Sequence, residues 1–429
     1  MNPTQQKLAA PSASPIVRPL GAFEEFLWLY DQTSPLHFAL AAKLEGHTTI
    51  SEWRRALDSL QKRHPFFSVY IEKDGSAVPN FRQDSSASIP LRVVQGANVA
   101  KRWELEVELE LAIPFNAGQA PLVRAVLLLE GQQAVCILVI HHSISDGRSV
   151  AFVIRDLLQA LAGKPIDPLP VLPSLEDLLG ITSTDFVPTK APAQKPPGKP
   201  LVYVDKKETR PQVRSLTLST ELTGEIRKRA REEGTTVHGA LSAAIALAYR
   251  EINDRFSEEP VRVLSPIDMR NMLGLGDDCA LLVAAAVVAI EPDSSTTFWQ
   301  IASGSTARLS VARTPEAITA SKYGFHQLMK QGVNVSTPGA MAAEGFAHEI
   351  TLTNLGNLAY ETDFGKLKLE AVWGPGVSAS TAGTHTIGVT TTNGSLKRLQ
   401  TTFEEPGSLL EATEEILVYA CATRKLRAC

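Results

Sequence analysis

The stretch "VIHHSISDGRSV", residues 139–150, ends an apolar run in two histidines and places an aspartate four residues after the second. Neighbouring side chains on a strand point to opposite faces, so only one of His141 and His142 can face a given cavity, and the other is a packed, hydrogen-bonded histidine. An imidazole with an ordinary pKa of about 6.5 takes up a proton at neutral pH and returns it, which suits a strand end where a loop opens a cleft. Asp146 has two roles open to it. It can cap the following helix by accepting backbone N–H bonds, worth about 0.5–2 kcal/mol, or it can pair with a cation from elsewhere in the chain. Gly147 fits a backbone position with positive φ or a close approach.

Working outward, Val150, Val153, Ile154, Leu157, Leu158 and Leu161 recur with a 3.6-residue period, which predicts a helix from near Asp146 to near Gly163. Upstream, "PLVRAVLLLE" and "AVCILVI" are apolar runs separated by "GQQ", a hairpin that delivers the histidines. "TTISEWRRALDSLQKRHP" carries Ile50, Trp53, Leu57 and Leu60 near helical spacing, with Thr49 or Ser51 as cap and Pro65 as stop. In the second half, "STELTGEIRKRAREEGTTVHGALSAAIALAYREI" reads as two helices broken at Gly234, with Thr235 or Thr236 capping the second and "RKRAREE" a solvated face. "VRVLSPIDMR" (261–270) and "FAHEITLTNLGNL" (346–358) read as strands, and "CALLVAAAVVAI" (279–290) as a buried strand pair or core helix. Alternating helix and strand patterns predict an α/β (α+β layered) fold.

The chain of 429 residues exceeds one ordinary core, so two units are expected. These are a disordered leader at 1–18, a first domain at 19–181, a Pro- and Lys-rich crossover linker at 182–210 and a second domain at 211–429. The net charge of −4, without a basic block, argues against a nucleic-acid partner. The four cysteines form no C-x-x-C pair, the N-terminus has no signal-peptide pattern, and no apolar run reaches the ~18 residues of a span, so a cytoplasmic protein without a membrane span is expected.

Other chemistries fit less well. His, His and Asp are all metal ligands, but H-H-x-x-x-D supplies two at best on one side, and no H-E-x-x-H occurs; no metal is expected, and a metal-dependent hydrolase ranks last. Ser143 and Ser145 lack a G-x-S-x-G elbow. "GPGVSA" (374–379) matches a dinucleotide fingerprint by letters only, because strand and turn follow it. Asp277 and Asp278 in "GLGDD" read as a solvated loop.

"HHSISDGRS" resembles the HHxxxDG signature of the condensation-type acyltransferase superfamily. "LQKRHPFFSVYI" (60–71) resembles its RHP segment, "IPFNAGQAPLVRAVLLLE" (113–130) its lead into the motif strand, "SPIDMRN" (265–271) its D-x-R element and "TNLGNL" (353–358) its S-N-x-G element. The markers fall in the family's order from about residue 20 to about residue 405. By length and pattern the chain is similar to stand-alone, polyketide-associated enzymes of the phthiocerol dimycocerosyl transferase type. It departs from plant-type relatives, since "DFGKL" (363–367) lacks Trp-Gly, and from wax-ester synthases, since "PLGAFEEFLWL" stands where P-L-x-x-x-D would; "EGFAHE" (344–349) only loosely echoes an epimerisation motif.

The resemblance implies two chloramphenicol-acetyltransferase-like domains forming a V-shaped pseudo-dimer with a central tunnel. It implies His142 as general base and structural support from His141, Asp146, Gly147 and Arg270, with Asp146 paired to Arg270. Ser145, Asn354 and Gly356 would lie near substrate. The implied reaction moves an acyl group from a thioester to an alcohol or amine, forming an ester or amide in natural-product or lipid biosynthesis. No cofactor is held; the donor substrate is a phosphopantetheine thioester on coenzyme A or on an acyl or peptidyl carrier protein. The protein is expected to be a monomer. The alternative is a catalytically inactive, condensation-like module that binds or recruits a partner.

Overall fold

The computed structural model describes residues 14–75, 78–187, 210–377, 383–405 and 407–422. Most of the expected leader (1–13) and crossover linker (188–209), together with Cys429, lie outside the described residues. The last part of the expected leader is a correction: Ile16–Pro19 is a strand paired antiparallel with Asn80–Gln83. Arg18 holds it there, stacking on Phe66 and Phe81 and forking onto both carboxylate oxygens of Glu24 at 2.7 Å.

A five-stranded sheet carries the histidines. Its strands run in the order Lys368–Val377, His37–Glu45, Gln133–His141, Val123–Glu130 and Leu91–Gln95. The central strand is covered on both faces, which explains an unbroken apolar run where a half-exposed strand would alternate. Cys136, Leu138 and Ile140 face the helices Ile50–Arg63 and Gly147–Leu161, through Trp53, Leu57, Leu60, Val153, Ile154 and Leu157. Val135, Ile137 and Val139 face the helix Trp103–Leu111, through Trp103, Val107 and Leu111. The first of these helices starts at Thr49, which accepts from the Glu52 N–H at 3.2 Å while Glu52 returns a bond to the Thr49 N–H. Ile50, read as part of its apolar face, is 41% exposed at the first helical position.

A six-stranded sheet orders Val283–Ile290, Val261–Asp268, Ile350–Asn357, His385–Thr392, Ser395–Thr402 and Gln212–Thr217. Its core packs against the helices Val237–Glu251, Phe298–Ala312 and Leu409–Ala422. Gly234, at φ +64°, breaks the helix before Thr236, which caps its successor by accepting from the Gly239 N–H at 3.0 Å. The 279–290 run contains one edge strand, Val283–Ile290. In "RKRAREE", Arg229 departs from the solvated face: it turns inward over Trp299 and bonds Glu233 at 2.8 Å.

The strand Lys368–Val377 belongs to the second half by sequence and to the first sheet by hydrogen bonding. At the register break between Trp373 and Gly376 it presses on the second sheet, and a Cβ on Gly388 would stand 2.3 Å from the Pro375 carbonyl oxygen. The two lobes are thus joined by backbone as well as by side chains. Among the described residues, no helix is long and apolar enough to cross a membrane.

Candidate active site

The central strand ends at His141, paired across the sheet with His37, and the turn that follows sets two imidazoles in opposite roles. His141 is fully buried. Its Nδ1 accepts the Ser143 N–H at 3.1 Å, so a neutral ring carries its proton on Nε2, and that atom lies 3.2 Å from Asp31 Oδ2, off the line of an ideal hydrogen bond. His142 is the reverse. Its Nδ1 lies 3.0 Å from the Ser145 carbonyl oxygen, which can only accept, so Nδ1 carries the proton and Nε2 keeps its lone pair. The ring leans on Phe38, centroid to centroid 4.9 Å. Burial, which disfavours the cation, holds its pKa below the ordinary imidazole value despite the nearby Asp146 charge.

Asp146 performs both of the roles open to it. Its Oδ1 caps the helix Gly147–Leu161, accepting from the Ser149 N–H at 2.8 Å and the Ser149 hydroxyl at 3.0 Å. Its Oδ2 accepts from Arg270 Nη1 at 3.2 Å and from the Leu282 N–H at 2.9 Å, both from the second half of the chain. Burial works against the Arg270 charge, but the carboxylates of Asp146 and Asp268 outweigh it and raise its pKa above the usual guanidinium value. Arg270 also donates to Ser149 Oγ at 2.6 Å and to the Asp278 carbonyl at 3.0 Å.

Residues 277–282 therefore form a strap across the motif turn. Asp277 pairs with Arg155, the Ala280 N–H donates to Ser149 Oγ, whose single O–H is shared between the Ala280 carbonyl and Asp146 Oδ1, and Cys279 Sγ lies 3.5 Å from Ser145 Oγ. The solvated loop expected for Asp277 and Asp278 is corrected accordingly: Asp277 is half exposed but tethered to Arg155 of the first lobe, while the Asp278 carbonyl accepts from Arg270. Ser145 itself is fully buried, its hydroxyl turned to Cys279 and to the Asp146 carbonyl.

Asn354 lines a cavity of about 150 Å³ together with Asp146, Gly147, Arg148, Asp268 and Thr353. Its Oδ1 is committed to the Gly356 N–H at 2.8 Å, and Gly356 needs its glycine for a φ of +72°. Gly147 is held small by packing: a Cβ there would meet Pro375 Cγ at 3.1 Å and Leu355 Cδ2 at 3.3 Å. Arg148 closes the junction by donating to the Leu355 carbonyl at 2.5 Å. The residues missed by sequence reasoning are Asp31, Ser149 and Cys279, whose roles depend on partners more than a hundred residues away. Among the described residues, no group of three or more His, Cys, Asp or Glu side chains is placed to hold a metal ion.

This architecture is that of two-lobed condensation and acyltransferase proteins. The fold matches polyketide synthase associated protein 5 from Mycobacterium tuberculosis, with a TM-score of 0.67 and 19% identity over 96% of this chain and 99% of that one. It also matches the condensation domain of the Monacolin K polyketide synthase, with a TM-score of 0.67 and 13% identity over 97% and 100%. Residues 26–174 match the condensation-domain family, and residues 207–388 match the C-terminal family of phthiocerol/phthiodiolone dimycocerosyl transferase. Together the two matches run along most of the chain, which is thus similar to condensation domains in its first part and to the dimycocerosyl transferase in its second. A linear gramicidin synthase from Brevibacillus parabrevis is 28% identical over 59% of this chain and 4% of its own length. A plipastatin synthase from Bacillus subtilis is 28% identical over 60% and 10%, so this chain spans only a small part of these relatives.

Proposed function

We propose that the chain is an acyltransferase or condensation enzyme of natural-product or lipid biosynthesis, moving an acyl group from a thioester to an alcohol or amine with His142 as general base. The observation that carries this reading is the His142 tautomer. With Nδ1–H spent on the Ser145 carbonyl and burial disfavouring the cation, the imidazole is neutral at pH 7 with its basic lone pair on Nε2.

In the proposed step the acceptor O–H or N–H gives its proton to Nε2 as its heteroatom attacks the thioester carbonyl. The new C–O or C–N bond forms, the tetrahedral intermediate collapses with loss of the C–S bond, and the thiolate takes the proton back from the imidazolium. A thiol pKa of about 8.5 makes that leaving group good without a separate strong acid. Asp146, Arg270, His141 and Gly147 shape the turn, and Asn354 offers its remaining amide N–H donors near substrate, since its oxygen is spent on Gly356. The donor is a phosphopantetheine thioester, on coenzyme A or on a carrier protein; the matched peptide synthases and the polyketide synthase associated protein support the carrier. No resident cofactor enters this scheme. Free thiols at Cys136, Cys279 and Cys421 fit a reducing cytoplasm, and a monomer suffices, because both halves of the site come from one chain.

The test is a thioester-release assay with acyl-CoA and acyl-carrier donors and pooled alcohols and amines, products being read by mass spectrometry. His142→Ala is expected to lower product formation about 10²- to 10⁴-fold. Undiminished product from that variant refutes the assignment.

A further inference from the structure

The turn that carries His142 is fastened from a second direction by an acid far away in sequence. Asp31 is the last residue of the helix Ala22–Asp31 and is 8% exposed. One carboxylate oxygen, Oδ1, accepts the Leu36 N–H at 2.6 Å, and the Leu36 carbonyl in turn accepts the His142 N–H at 3.1 Å. The other, Oδ2, faces His141 Nε2 at 3.2 Å, while His141 receives the Ser143 N–H on Nδ1 and the Ile144 N–H on its carbonyl. One buried carboxylate therefore touches both routes to residues 142–144. The His142 ring is placed by its bond to the Ser145 carbonyl and by Phe38, so its aim follows the backbone of this turn.

We propose that Asp31 is a positioning residue for His142, acting through Leu36 on one side and His141 on the other. The proposal rests on the reading of His142 as general base. The negative charge favours the His141 tautomer with Nε2–H, which leaves Nδ1 free to accept from Ser143. In Asp31→Asn the amide oxygen can keep the Leu36 bond, but its NH2 group then confronts the His141 Nε2–H, donor against donor. In Asp31→Ala both attachments are lost.

The experiment uses full-length protein labelled with ¹⁵N-histidine. Imidazole spectra over a pH series report the tautomer and titration of His142, and thiol release from hexanoyl-CoA with 1-octanol reports turnover. Both variants should displace the His142 signals from the Nδ1–H pattern or move their titration midpoint, with a larger change for Asp31→Ala. Misplacement by a fraction of an ångström to an ångström corresponds to a fall in kcat of about 10- to 100-fold with KM held within about twofold. Unchanged His142 signals in both variants overturn the proposal whatever the activity, as does a rise in KM at constant kcat. The spectra need no substrate, so they decide the claim even if hexanoyl-CoA is not turned over. If they change as expected while His142→Ala retains full turnover, the positioning stands and the general-base reading falls.

Discussion

A carbonyl decides what His142 can do, because the Ser145 oxygen accepts and thereby fixes the ring proton on Nδ1. Burial lowers the pKa of this imidazole below about 6.5, so the proposed base is already deprotonated at neutral pH. Activity should therefore hold on acidification through pH 7 and fall only below about 6.5, with an acid limb in kcat/KM of unit slope. A limb centred above pH 7 would show a base whose charged form is favoured, contrary to this environment. Asp146 is the second decisive residue, since four donors converge on it and two come from the other lobe. Asp146→Ala leaves the Arg270 guanidinium without that carboxylate and the Leu282 N–H without its acceptor. Breaking a buried pair on one side typically costs about 3–5 kcal/mol. The urea midpoint should fall accordingly, and a loss below about 1 kcal/mol would mean that Asp268, Ser149 and the Asp278 carbonyl satisfy Arg270 without Asp146.

Glycines report how closely the elements meet. A Cβ at Gly388 would stand 2.3 Å from Pro375 O, 2.4 Å from Gly374 C and 2.6 Å from Pro375 N, all backbone atoms that no rotamer change can move. Gly388→Ala should thus destabilise by at least the ~1–3 kcal/mol typical of overpacking. Gly224 lies exposed in the helix Thr220–Glu232 with nothing within 4 Å of its missing Cβ, so Gly224→Ala should stabilise by about 0.5–1 kcal/mol. Paired thermal melts check both signs. Elements whose signals are local were legible in the sequence: the helices Ile50–Arg63 and Gly147–Leu161 from their caps and apolar period, and the Val123–His141 hairpin from its apolar runs and Gly131. The strand Lys368–Val377 was not legible as part of the first sheet, because its pairing with His37–Glu45 spans over three hundred residues. Asp31 carried no local signal, and Asp277 looked like any loop acid, since nothing near either in sequence shows what it meets. Arg270 entered through its motif resemblance, whereas Ser149, Cys279 and Leu282 belong to no motif that could have signalled their part in the same cluster.

The whole molecule buries imidazoles in both lobes, and that sets how it responds to acid. Burial depresses His64 and His142 in the first half, and His238 and His385 in the second, the latter two to about 4. An unfolded chain protonates these rings near pH 6.5, while the folded state resists until a lower pH. Between about 6.5 and 4 the unfolded state binds more protons, so stability rises with pH across that window and is lost as pH falls through it. The rings of His238 and His385 contribute on the order of 3 kcal/mol each by pH 4. Glu25 and Glu176, raised mainly by burial, act in the opposite sense, because the folded state then takes up protons more readily. Besides His142, whose Nδ1 meets the Ser145 carbonyl, His64 lies 3.1 Å from Asp156, His238 2.8 Å from Ser265 Oγ and His385 3.0 Å from Gln400. Of these only the Asp156 carboxylate favours a charged ring, so His238 and His385 should each contribute to the loss, beside His142 and His348, which burial also depresses. Urea midpoints measured at pH 7.5, 6.5, 5.5 and 4.5 at constant ionic strength should decline steadily, and the double variant His238→Gln/His385→Gln should flatten the decline. An equal slope in wild type and double variant would move the acid sensitivity to other groups.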